Sequence, residues 1–270
     1  MADGAFPLDA YLERIAYSGR VAATESGLER LQRGQLRSIP FENFDILLGR
    51  GISLEPPAIC DKLLLRRRGG YCFELNGLLL LALRAIGFEA RPLLARVHLH
   101  GRASGRTHAL LLVTIGARCW LADAGFGGPS LRAPIPLERD VTRDQEGYAF
   151  RLTDGGAFGT MLQSLVDGAW RDLYSFDLGH VWPADIALSN HFASTHPSSF
   201  FTFARVAAIH TPVGRVALLD HTLRRIASSV EQVEHLVEGP EFIAAIERHF
   251  GIAIDAPYQA LRPLRANDEV

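Results

Sequence analysis

The feature that most narrows the possible folds is a change of hydrophobic period near residue 88. Before it, apolar residues recur as on a helix face: Leu8, Tyr11, Leu12 and Ile15 stand at i, i+3, i+4 and i+7. Ser26-Gly27-Leu28-Glu29 has the form of a capping box and predicts a second helix, which Pro40 ends. A third helix is predicted from about Cys72 to Ile86, stopped by Gly87. After it come short β-prone runs at 93–99, 108–115, 118–123, 148–153, 160–165 and 169–176, punctuated by Gly, Asp and Pro as in an antiparallel sheet or barrel. The last part is mixed. Strand-like runs at 201–209 and 215–219 precede a helix over 240–250, closed by Gly251.

The chain has 270 residues, 48% hydrophobic and 21% charged, close to the average for a soluble globular protein. Only the segment 265–270 is expected to fray. The formal net charge of −2 gives no electrostatic reason to expect nucleic acid as a partner. No apolar run reaches the roughly 20 residues that span a bilayer, so no membrane partner is expected. No basic segment followed by an apolar run marks a signal peptide. Three cysteines at 60, 72 and 119, without a Cys-x-x-Cys pair, make a disulfide framework or structural zinc site an unfavourable reading. A reducing, cytoplasmic location is therefore expected. Nothing in the pattern indicates an oligomeric state.

The most informative stretch is Arg68-Gly69-Gly70-Tyr71-Cys72-Phe73-Glu74-Leu75-Asn76. Two glycines allow a tight turn, and a helix then begins at the cysteine. A helix N-terminus favours an anion, here the thiolate, which is the nucleophilic form. The alternative is a small, inert hydrophobe at a helix start. Cys60 and Cys119 lack this context and read as packing residues.

A thiolate nucleophile needs a base, and the base an orienting group. Ten histidines leave composition without a choice, but strand geometry narrows it. If Gly116-Ala117 is a two-residue hairpin turn, Ile115 faces Arg118 and Asp123 lies opposite Leu110. His108 and Leu110 share a face, so Asp123 and His108 become diagonal neighbours. A carboxylate there can fix the imidazole tautomer and stabilise imidazolium. The alternative is a surface His and Asp on a hairpin.

These residues resemble the arylamine N-acetyltransferase family. Residues 68–76 look like its nucleophile motif, Thr107-His108 like its histidine motif and Asp123-Ala124-Gly125-Phe126-Gly127-Gly128 like its aspartate motif. The family often has valine on both sides of the aspartate, where this chain has Ala122 and Ala124. Ile39-Pro40-Phe41-Glu42-Asn43-Phe44, and Ser194-Thr195-His196-Pro197 with Ser199 and Phe201, resemble two further segments. The resemblance covers roughly residues 5 to 205.

What the resemblance implies is an α+β protein in three parts, a helical bundle (1–88) carrying Cys72, an antiparallel β-barrel (89–198) carrying His108 and Asp123, and an α/β lid (199–270). The triad arrangement is like that of papain-type proteases. It also implies acetyl-CoA as donor, an aromatic amine or hydrazine as acceptor, and an acetyl-cysteine intermediate. Phe126, Phe201 and Gly127 are candidates for the acceptor site, and Thr107, Gly125 and Gly128 for the coenzyme A site. Arg68 is expected to pair with Glu42, and Arg66 and Arg67 to form a solvated face. His98 and His100 share a strand face, but no third ligand is evident and no metal is expected. Rival readings are an amide synthase of the same family acting on a carrier-bound acyl chain, a cysteine hydrolase with the same triad, and a binding protein that keeps the scaffold.

Overall fold

In a computed structural model the chain is described over residues 5–99, 101–227 and 230–264. The 265–270 end and His100 lie outside these residues. The first part is helical. It comprises α1 (Leu8–Arg14), α2 (Glu25–Ser38), a short strand β1 (Phe41–Glu42), α3 (Phe44–Leu47), α4 (Pro56–Cys60), a π-type turn (Asp61–Leu65) and α5 (Cys72–Ile86). Tyr11, Leu28, Leu31, Leu78 and Leu79 make its core. Gly87 ends α5 at φ 99°, a left-handed conformation that glycine adopts without steric cost. The cap of α2 differs from the sequence expectation. Thr24, in extended backbone, accepts the Gly27 N–H on Oγ1 at 3.1 Å, so Thr24 and not Ser26 is the N-cap.

An antiparallel sheet of eight strands follows, curled into a nearly closed barrel in the order β5-β4-β3-β2-β9-β8-β7-β6. Its strands are β2 (Glu89–Val97), β3 (Arg106–Ile115), β4 (Arg118–Ala122), β5 (Ile135–Pro136), β6 (Arg143–Gln145), β7 (Tyr148–Asp154), β8 (Thr160–Val166) and β9 (Ala169–Phe176). Ile115 pairs with Arg118 across Gly116-Ala117, the register that the two-residue turn predicts. Strand β3 is buried on both faces. Leu110 and Leu112 fill the barrel, whereas Ala109, Leu111 and Val113 pack against the helices. Gln145 on β6 ties the two edges of the curled sheet together. The Gln145 amide accepts the N–H groups of Arg132 and Ala133 at 2.8 and 3.1 Å and donates to the Ala133 carbonyl at 3.0 Å.

Helix α6 (Pro183–Thr195) leads to a second antiparallel sheet of β10 (Val206–Thr211), β11 (Gly214–Leu219), β12 (Thr222–Ala227) and β13 (Val230–His235). Strand β1, from the helical part, completes it beside β10. Helix α7 (Pro240–Phe250) covers it with Phe242, Ala245, Ile246 and Phe250. The strand expected at 201–209 begins only at Val206. Before it, a 3-10 turn spans Phe200–Thr202. Asn43 Nδ2 donates to the Phe201 and Ala204 carbonyls at 2.8 and 2.7 Å, and Thr202 Oγ1 to Ser199 O at 2.8 Å, so side chains satisfy this backbone locally. No helix among the described residues is long and apolar enough to cross a membrane.

A chain of buried charges ties the helical part to the start of α5. Arg68 Nη2 meets Glu42 at 2.7 Å and Asp45 at 3.3 Å, and Lys62 Nζ meets Asp45 at 2.8 Å and Glu74 at 2.7 Å. Glu74 in turn accepts the Tyr71 N–H at 3.1 Å, the reciprocal half of a cap on α5. Arg66 and Arg67 are exposed. Burial raises the Glu74 carboxyl, which Lys62 only partly offsets. For Asp45 burial is outweighed, and the flanking cations Lys62 and Arg68 hold it low. Removing the Lys62 charge leaves Glu74 without a cationic partner in the interior and leaves Asp45 to Arg68 and Arg50. Lys62→Met is expected to destabilise the fold by about 3–5 kcal/mol, as read by urea unfolding; a loss below about 1 kcal/mol would mean that the network carries no net structural burden.

Candidate active site

Cys72 is the first residue of α5 and is 3% exposed. Its Sγ lies 3.8 Å from the Thr107 carbonyl, the residue before His108 on β3. The first-turn N–H groups of a helix have no intrahelical acceptor, so they offer the sulfur a positive environment. His108 Nε2 sits 2.8 Å from Asp123 Oδ2, with the histidine 3% and the aspartate 0% exposed. With Nε2 engaged, Nδ1 is the ring nitrogen left for Cys72. Burial alone would lower the His108 imidazolium. The Asp123 charge and hydrogen bond, with a hydrogen bond and charge from Cys72, outweigh it and push His108 up to about 10. Asp123 shows the complementary balance. Burial favours its neutral form, but His108, Asn76 and the Gly125 N–H hold it below the usual carboxylate range.

Two residues to which the sequence reading gave no role fix this geometry. Asn76, one turn after Cys72 on α5, donates to Asp123 Oδ1 at 3.0 Å and to the Ala109 carbonyl at 2.7 Å, and accepts the Ala124 N–H at 2.9 Å. Gln32 on α2 accepts the Asp123 N–H at 3.1 Å. Asn76 had a visible signal, since i+4 from Cys72 places it on the same helix face. Gln32 had none. Tyr174 on β9 was also missed. Its ring lies 5.0 Å from those of both His108 and Phe126. Burial and the Asp123 charge keep its hydroxyl protonated, well above the usual range.

The other candidates divide into two groups. Phe126 packs edge-on to His108 at 5.0 Å between ring centres. Phe201 lies 5.7 Å from Tyr71 and 5.9 Å from Phe41, in the 3-10 turn Phe200–Thr202. Both are half-buried. Gly125 and Gly127 answer first to protein neighbours. A Cβ on Gly125 would stand 2.7 Å from Asn76 Nδ2 and 2.9 Å from Cys72 Cα, and one on Gly127 2.6 Å from the Phe41 ring, at φ 75°. Gly128 differs, since a Cβ there meets only Phe126 at 4.0 Å, so this backbone faces open space. His98 bonds Ser175 Oγ at 2.9 Å, and among the described residues no group of His, Cys, Asp or Glu is placed to hold a metal ion.

A family model described as N-acetyltransferase matches residues 26–258. The chain is 37% identical over 253 residues to the arylamine N-acetyltransferase / N-hydroxyarylamine O-acetyltransferase of Salmonella typhimurium, covering 92% of this chain and 89% of that protein. The solved structure of arylamine N-acetyltransferase from Salmonella typhimurium superposes with a TM-score of 0.88 over 92% of each chain, at 35% identity. That of Mycobacterium marinum arylamine N-acetyltransferase in complex with CoA gives 0.87 at 33% identity, over 91% of this chain and 93% of that one.

The raised His108 fixes a sign for pH dependence. Its contribution to stability is complete below the unfolded-state value of about 6.5 and is lost as pH rises through about 10. The stability difference between wild type and His108→Gln is therefore expected to be largest near pH 6 and to shrink steadily toward pH 10. Urea unfolding of both proteins across that range measures it, and a difference that grows with pH would contradict an imidazolium at this position.

Proposed function

The chain belongs to the arylamine N-acetyltransferase family, and from that membership we propose that it moves an acetyl group from acetyl-CoA to aromatic amines, arylhydrazines or arylhydroxylamines, with Cys72 as nucleophile, His108 as base and Asp123 as its orienting group. The observation that carries this reading is the buried His108–Asp123 pair at 2.8 Å beside a cysteine that opens a helix. The division 1–88, 89–198 and 199–270 belongs to the same proposal, with the nucleophile from the first part, its partners from the second and Phe201 from the third. So does a cytoplasmic location, for which three free cysteines speak.

The steps follow from the charges. The Cys72 sulfur attacks the thioester carbonyl of acetyl-CoA, and the C–S bond to coenzyme A breaks. His108, held as imidazolium, supplies the proton with which coenzyme A leaves as a thiol. Acetylation removes the hydrogen bond and negative charge with which Cys72 supports the imidazolium. The acetyl-enzyme thus holds a more basic-ready, neutral His108 than the free enzyme does. It takes the proton of the attacking amine, the acetyl group passes to nitrogen, and the sulfur is restored. Phe126 and Tyr174 pack against the imidazole and supply an apolar wall that suits an aryl ring and disfavours water. Thr107 and the open backbone at Gly128 are the candidates for contact with coenzyme A.

Two outcomes test the reading. Mixed with acetyl-CoA and no amine, wild type should gain one acetyl group on Cys72 and release one equivalent of coenzyme A, then stall until an aryl amine or hydrazine is added. Intact-mass spectrometry under rapid quench, with Cys72→Ala alongside, reads this directly. Absence of the acetyl-cysteine in folded protein would sink the proposal, an amide synthase would not load from acetyl-CoA, and a hydrolase would release coenzyme A continuously. Separately, Asp123→Asn should lower kcat by a factor on the order of 10³–10⁴ while the protein stays folded, because the amide removes the charge that stabilises imidazolium. Turnover within about twofold of wild type would leave too small a change in barrier for a triad member.

A further inference from the structure

Behind the catalytic helix lies a cleft that the reaction does not use. It is bounded by α4, α5, β3 and α6, has a volume of about 160 Å³, and presents Ile59, Phe73, Leu80, Ala109, Leu111 and Ile186. Phe73, Asn76, Gly77, Leu80 and Leu81 line it from α5 at a spacing that puts them on one helix face. Cys72, His108 and Asp123 are not part of its wall. Its rim is reachable, since Leu80, Leu81, Pro92 and Ile186 are half-buried rather than buried.

The one polar side chain in the wall is Asn76. Its amide is already committed, with Nδ2 shared between Asp123 and the Ala109 carbonyl and Oδ1 taken by the Ala124 N–H. The wall offers solvent in the open cleft almost no hydrogen-bond partner, so its apolar surface is hydrated unfavourably. A charged or strongly hydrogen-bonding ligand would lose its hydration without replacement. The volume selects the size. An enclosed apolar cavity of about 150 Å³ accommodates one benzene ring, and this cleft, open along its rim, has a comparable volume. Phe73 adds an aromatic face to the wall.

We propose that the cleft between α4, α5, β3 and α6 is a second binding site, separate from the catalytic one, for a single uncharged aromatic ring without polar substituents. The site lies against Asn76 and the Ala109 carbonyl, so its occupant abuts the clamp that holds Asp123.

Fluorobenzene is the probe, followed by ¹⁹F line broadening on the full chain, first free and then with Cys72 carboxamidomethylated to fill the catalytic pocket. Saturable broadening is expected in both forms. It should fall at least about tenfold in apparent affinity in Ala109→Leu and in Ile186→Trp, which fill the cleft from the strand and from the helix rim. 4-Fluoroaniline should bind the alkylated protein more weakly than fluorobenzene, because its amine finds no acceptor. Loss of broadening on alkylation would place the ring over Cys72 and overturn the proposal. So would unchanged affinity in the filled variants. If Ala109→Leu does not fold, Ile186→Trp, altered at a half-exposed position, decides alone.

Discussion

A carboxylate with no access to water has to be satisfied wholly by protein, and Asp123 is such a group. Four elements contribute. His108 comes from β3, Asn76 from α5 and the Gly125 N–H from the loop after β4, while Gln32 on α2 holds the aspartate's own N–H. An unpaired buried charge costs several kcal/mol, so these elements are held to one mutual arrangement or the charge is stranded. The carboxylate therefore fixes the distance between the helical part and the barrel. It does so at the point where the cysteine at the head of α5 meets the histidine on β3. Geometry needed for chemistry and geometry needed for folding coincide here.

The same logic operates where residues 39–44 join the helical part to the second sheet. Phe41 and Glu42 form β1 and join the second sheet beside β10. Glu42 takes Arg68, Asn43 pins the backbone from Phe201 to Val206, and the Phe41 ring fills the space that Gly127 leaves. Hydrogen bonds to the Asn43 side chain replace strand pairing in the segment before Val206. The Glu42–Arg68–Asp45–Lys62–Glu74 chain then carries the constraint to the cap of α5. Gly69 and Gly70 are part of it, because a side chain at either would meet Pro40, Glu42 or Glu74.

How much of this the sequence revealed depends on how local each cause is. Helix α5 and helix α7 were legible to the residue, because apolar periodicity and a glycine stop are both written in the segment itself. The β3–β4 register was legible because a two-residue turn leaves one pairing. Helix α6 was not. It buries Asn190, Ala193 and Ser194 and exposes Leu188 and Phe192, so it carries no apolar stripe facing inward. Strands β12 and β13 were missed because Arg225 and Glu234 pair across them at 2.8 Å and hydrophobic alternation is weak. The cap on α2 was misplaced by two residues because Thr24 and Ser26 offer the same hydroxyl and only backbone conformation chooses. Within the site, His108, Asp123 and Cys72 were reachable from spacing. Of the buried ion chain only the Arg68–Glu42 pair was expected, from the resemblance; Gln32, Tyr174 and the Asp45–Lys62–Glu74 part depend on contacts between distant segments, which no local pattern encodes.

Burial at the site works against the charged groups it contains, and the balance explains why so many neighbours are apolar. Desolvation is the largest single influence on both His108 and Asp123, and for each it opposes the charged form. The pair prevails because the two charges are 2.8 Å apart in a medium that screens them weakly. Phe126 and Tyr174, packed on the imidazole, keep water from competing for the same hydrogen bonds. Replacing either ring with a polar side chain would ease desolvation but also weaken the attraction that outweighs it. Apolar walls and a charged pair are thus one device. On the proposed mechanism the same walls protect a thioester from hydrolysis while admitting an aryl ring. Selection between amine and water then rests on access rather than on intrinsic nucleophilicity.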